Sequence, residues 1–144
     1  MMRRVLMMAA LGLATAAGAW EEPARGTADR KALMDALRPH AEWMLGAPVE
    51  FVVYELRRAG DVAFASVDAQ RPGGAQIDIS QTPGGLRGEL DEEYMDGSTL
   101  QALYRKVGQT WVAVHWEIGA TDAWYSDPAL CAEYRSVLLE ICPD

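Results

Sequence analysis

From Asp29 to Leu45 apolar side chains recur at spacings of four and three. Leu33, Leu37, Ala41 and Met44 line up on one helical face, while Arg30, Lys31, Asp35, Arg38 and Glu42 fall mostly elsewhere. Thr27 or Asp29 can cap the start, and Gly46 followed by Pro48 marks the stop. Pro39 removes one backbone hydrogen bond and crowds the carbonyl four residues back. The pattern therefore predicts a kinked helix or two abutting short ones.

The period then changes. Val49 to Arg58 is rich in β-branched and aromatic residues, Ala59-Gly60-Asp61 has turn chemistry, and Val62 to Ala69 returns as a second strand. A Gly/Pro-rich stretch over 70–97 follows, punctuated by Pro72-Gly73-Gly74 and Pro83-Gly84-Gly85, with Ile77 and Ile79 as a short edge piece inside it. Thr99 to Val107 fits two templates, because Leu100, Leu103, Tyr104 and Val107 also suit a helix. The clean alternation of Thr110 to Ile118, with Gly108-Gln109 between the runs, favours a hairpin. A two-residue loop would set Arg105 opposite Val112. A three-residue loop, Val107-Gly108-Gln109, would set Arg105 against Trp111 and separates the faces better. Asp127-Pro128 then opens a short helix, with Val137 to Ile141 extended after it.

The elements add up to an α+β domain over 28–144, preceded by a loose leader over 20–27. An N-terminal helix packs on a four-stranded antiparallel sheet of two hairpins, and a short C-terminal helix ends the chain. The element order is similar to a cystatin-like or NTF2-like arrangement. On the last strand Val112, Val114, Trp116 and Ile118 make a core set, and Trp111, Ala113, His115 and Glu117 face the other way. On the first, Val49, Phe51 and Val53 alternate with Val52, Tyr54 and Leu56. Neither second face is uniformly polar, so either Leu130 to Ile141 folds over it or a partner does.

The 144 residues carry 13 Lys and Arg against 21 Asp and Glu, a net charge of −8. This acidity argues against a nucleic-acid partner, which needs a basic footprint. Residues 1–19 have the form of a signal peptide. Arg3 and Arg4 precede an uncharged run from Val5 to Ala16, and Ala17-Gly18-Ala19 offers a cleavage site. The run falls short of the ~20 residues of a spanning helix. Cleavage after Ala19 takes the basic count from 13 to 11 against 21 acids, a net of −10. No second apolar run would hold the mature chain in a membrane, so the expected location is the periplasm or the exterior.

Cys131 and Cys142 are the only cysteines. On a continuous helix their Cα atoms would stand ~16 Å apart, beyond the ~7 Å reach of a bridge. A disulfide therefore needs the chain to turn back between them, and an exported protein favours that outcome over a reduced pair. Two sulfurs without a neighbouring histidine make a poor zinc set, so no metal is expected.

Candidate chemistry is sparse. His40 and His115 are the only histidines, and none of Ser66, Ser80, Ser98, Ser126 and Ser136 sits in a nucleophile elbow. The run Asp91 to Gly97 fails the spacing of a calcium loop. There is no G-x-G-x-x-G, Walker loop or C-x-x-C, and no cofactor is expected.

Three stretches, Gly46 to Pro72, Gly108 to Tyr125 and Cys131 to Tyr134, resemble small periplasmic proteins of proteobacteria. The resemblance implies the fold and the compartment, and brings no reaction or catalytic residue. The expected role is a non-enzymatic binding module of inhibitor or immunity type. It would hold a protein partner through Trp111, Arg105, His115 and Tyr54 on the sheet's outer face, or through the loop 70–97. The alternatives are a small-ligand pocket or weak hydrolase of NTF2-like shape, and a homodimer.

Overall fold

A computed structural model describes residues 20–142, so the expected signal segment lies outside the described residues. The first helix, α1, runs over Ala28–Leu45, and Thr27 Oγ1 accepts from Arg30 N–H at 3.4 Å as its N-cap. It runs on as one helix through Pro39, so the chain does not split into two short helices there. Pro39 and Asp35 both lie on the exposed side, where water can take the carbonyl that the proline leaves unpaired. At the other end Arg71 replaces the missing helical donors. Its guanidinium donates to Leu45 O at 2.7 Å and Pro48 O at 3.0 Å, and also to Gly46 O.

The sheet is a meander of β1 (Glu50–Ala59), β2 (Val62–Gln70), β3 (Thr99–Val107) and β4 (Thr110–Ile118), antiparallel in that order. Both hairpin loops have two residues, Gly60-Asp61 and Gly108-Gln109, and the glycine opens each with positive φ. That is the pattern of a II′ turn, whose twist matches the strands. The observed register sets Arg105 opposite Val112 and Lys106 opposite Trp111, which corrects the three-residue loop.

Each edge strand carries a bulge. On β4 Leu103 pairs with His115 while Tyr104 pairs with Ala113, leaving Val114 as the extra residue. On β1 Tyr54 is the extra residue between Val53 and Glu55. A bulge switches which face later residues occupy, so strict alternation fails across it. Trp111 and Ala113 therefore share the α1 side with Ile118, while Val112 and Val114 are exposed. Likewise Leu56 joins the core beneath α1, and Tyr54 turns outward.

Leu33, Leu37, Ala41 and Leu45 of α1 pack onto a floor rich in small residues, Ala63, Ala65, Ala69, Ala102 and Ala113, with Val67, Leu100 and Tyr104 between them. Small side chains let the helix lie close, and each fully buried leucine contributes ~1.5–3 kcal/mol. On the reverse face Phe64 and Leu103 are covered by the C-terminal segment through Tyr134, Val137 and Leu138. The chain itself thus supplies cover for part of this face, and the rest carries half-buried Ser66, Asp68 and Gln101 and exposed Glu117 beside exposed Val112 and Val114.

The segment begins with α3 (Pro128–Tyr134), where Asp127 Oδ1 caps Ala129 N–H at 2.9 Å. It then coils through a 3₁₀ turn at Arg135–Val137 and further turns, so Val137 to Ile141 is not extended. This coiling brings the Cα atoms of Cys131 and Cys142 to 5.5 Å, and the two are disulfide-bonded. The leader is fastened as well. Glu21 forms a two-way backbone bridge with Arg58, Pro23 is buried, and Arg57 lies 4.6 Å over the Trp20 ring. Among the described residues no helix is long and apolar enough to cross a membrane.

Candidate functional site

The fold separates the four residues that the sequence groups on one face. Trp111 is 4% exposed on the α1 side, with Arg58 and Lys106 at 5.9 and 5.7 Å from its ring centroid. Arg105 lies on the opposite face and is ion-paired with Glu133 of α3. His115 is exposed on that same face and meets the Tyr134 ring edge-on at 6.1 Å. Tyr54 is 64% exposed on the far edge strand, ~14 Å away by three strand spacings. Only Arg105 and His115 come together, beside α3.

Around that pair, burial is the main cause that raises the Tyr134 hydroxyl above its ordinary pKa, with Glu133 adding and Arg105 opposing. Tyr104, wholly buried beneath α1, is raised by burial alone and so stays neutral. His40 stacks on Trp116 at 5.1 Å. Among the described residues neither histidine is hydrogen-bonded to a serine or a carboxylate, and no group of three His, Cys, Asp or Glu is placed to hold a metal ion.

A different surface does converge. Beyond Gln70, where β2 ends, the stretch to 97 holds no strand: Ile77 and Ile79 are buried anchors, and Ile79–Gln81 forms a 3₁₀ turn. Thr82 is buried, donates to Ile79 O at 2.6 Å and accepts from Gly85 N–H at 3.0 Å, capping a single helical turn, α2 (Pro83–Leu86). Gly84 and Gly85 are required by close approach. A Cβ on Gly84 would sit 2.8 Å from Met44 O, and one on Gly85 would sit 2.1 Å from Ile79 O. The second glycine-rich motif is therefore a packing joint between α2 and the end of α1. Beyond it the loop is tied to the end of β4 by Asp96 N–H donating to Gly119 O at 2.8 Å.

This joint leaves large apolar side chains in water. Trp43 is 66% exposed, Leu86 73% and Tyr94 75%. Beside them opens a groove of about 470 Å³ floored by Met44, Leu90, Met95, Trp116 and Ile118. Its other lining residues are Tyr94 and the acids Glu89, Asp91 and Glu117. Arg87, the neighbouring cation, lies 4.7 Å over the Trp43 ring and donates to Glu89 at 2.7 Å. From Gly88 to Tyr104 there is no Lys or Arg.

Sequence reasoning singled out the loop but not this groove, which joins α1, the loop and β4 across long chain separations. One signal was present: Trp43 stands outside the apolar stripe of its helix. No family model, curated protein or solved structure matches the chain.

Proposed function

We propose that this chain is an exported, non-enzymatic binding module that holds a protein partner at the groove between α1, α2 and the end of β4. The observation that carries the reading is the exposure of Trp43 near the end of α1 and of Leu86 and Tyr94 on the loop that Thr82, Gly84 and Gly85 fix against it. Leaving large apolar side chains in water beside a cleft is unfavourable for an isolated soluble chain, and exposed apolar surface of this kind marks interaction sites. Tryptophan and tyrosine are also the side chains that most often dominate binding energy.

Three features support export to the periplasm or the exterior. Residues 1–19 have signal-peptide form. Trp20, the residue that cleavage would place first, is packed against the body. The Cys131–Cys142 bridge is of a kind that persists in oxidising compartments.

The test is affinity capture from periplasmic extract with wild type, Trp43→Ala/Tyr94→Ala and Tyr54→Ala. Wild type and Tyr54→Ala should recover the same partner, and the double variant should lose it. Equal recovery by the double variant would place the contact elsewhere.

A further inference from the structure

We infer that the groove receives a short segment of a partner protein in which one or two large apolar side chains are flanked by lysine or arginine. The inference rests on the groove being the binding site. It is the groove that makes the site, and the charges around it select the occupant. Met44 and Met95 in the floor are flexible and polarizable, so they can mould around an aliphatic or aromatic anchor.

Around the opening Glu89, Asp91 and Glu117 are all acidic. Arg87 is already engaged by Trp43 and Glu89, so it does not offset the other carboxylates. An acidic segment seated on the floor would bring like charges within the ~8 Å over which salt fails to screen them. A neutral one would gain the apolar contact alone. Basic flanks gain the apolar contact, a complementary field and faster encounter. The net charge of −10 left after cleavage at Ala19 adds long-range attraction for a basic segment.

The test uses the purified exported protein and three ten-residue peptides. Each has a central Leu-Phe pair with four Lys, four Ser or four Glu on either side, and binding is read by calorimetry. At low salt the Lys-flanked peptide should bind about tenfold more tightly than the Ser-flanked one, and the Glu-flanked peptide more weakly than both. The advantage should shrink toward unity in about 1 M salt. Asp91→Asn/Glu117→Gln alters exposed side chains only, and should bring the ratio of Lys-flanked to Ser-flanked affinity close to one. Equal binding of Lys- and Glu-flanked peptides, or no effect of the acid variant, would overturn the inference. If capture depends on Trp43 and Tyr94 while lysine brings no gain, the binding reading stands and the partner chemistry is wrong. If no peptide binds and capture ignores the groove, both fail.

Discussion

The indole N–H of Trp111 donates to Asp29 Oδ1 at 3.3 Å, tying β4 to the first turn of α1. The same carboxylate takes Arg58 Nη1 at 3.1 Å on its other oxygen, so three elements meet at one point. A tryptophan so placed is a structural clamp.

Trp111→Ala should therefore destabilise the fold by about 3–5 kcal/mol, the usual cost of emptying a buried aromatic site. Trp111→Phe keeps most of the packing and should lose much less, near the ~1 kcal/mol of one hydrogen bond. Urea unfolding of the two variants beside wild type checks both. A near-neutral Trp111→Ala would mean that the side chain is not packed as described.

The Cys131–Cys142 bridge holds the C-terminal segment over Phe64 and Leu103. Closing a loop of this length is worth about 3 kcal/mol in the chain-entropy account. The Cys131→Ser/Cys142→Ser variant should unfold at correspondingly lower denaturant, and the native protein should yield no alkylated thiol before reduction. Two reactive thiols in the unreduced protein would refute the bridge.

Two glycine substitutions separate conformation from close approach. Gly60 has φ +58° and open space where a Cβ would go, so Gly60→Ala should cost only the ~1–3 kcal/mol of a sparsely populated positive-φ conformation. Gly85→Ala drives a methyl into Ile79 O, so the α2 joint must shift and carry Leu86 and Leu90 with it. Amide exchange should rise across 79–90 in Gly85→Ala and stay unchanged there in Gly60→Ala. Identical protection in both would remove the argument for a rigid loop.

Much of this fold is written in local pattern, and the part that is not has an identifiable cause. Leu33, Leu37 and Ala41 announce α1 by their spacing, and Gly60-Asp61 and Gly108-Gln109 announce the hairpins. Asp127-Pro128 opens α3 as its chemistry requires. The faces of β4 are not legible, because the bulge at Val114 breaks the period of two, and nothing local distinguishes a bulge from a continuous strand. That one inversion also misleads the register. With Val112 taken as core, Arg105 opposite it looks unacceptable, whereas both lie on the reverse face and Arg105 is paired with Glu133. The groove is hidden for a different reason, since Met44, Leu90 and Trp116 meet only after the sheet and α1 are assembled.

Acid should loosen the C-terminal segment early. The hydrogen bond from Arg57 is the main cause holding the Glu140 carboxyl below its ordinary value of 4.5. A carboxyl depressed in the folded state stabilises it above the ordinary value, and that contribution is lost as pH falls through the folded value. Glu140→Gln should therefore flatten the decline of Tm between about pH 5 and pH 3. Superimposable Tm profiles for the variant and wild type would show that the Arg57–Glu140 pair contributes nothing to the fold.

Site-specific photo-crosslinking in living cells compares the two candidate surfaces directly, with the reactive group placed at Leu86 in one strain and at Tyr54 in another. Both positions are exposed, and they belong to different surfaces, the α2 joint and the far edge strand. A discrete protein adduct from position 86 and none from position 54 is the predicted result. An adduct from position 54 alone, or from neither, would contradict a partner held at the groove.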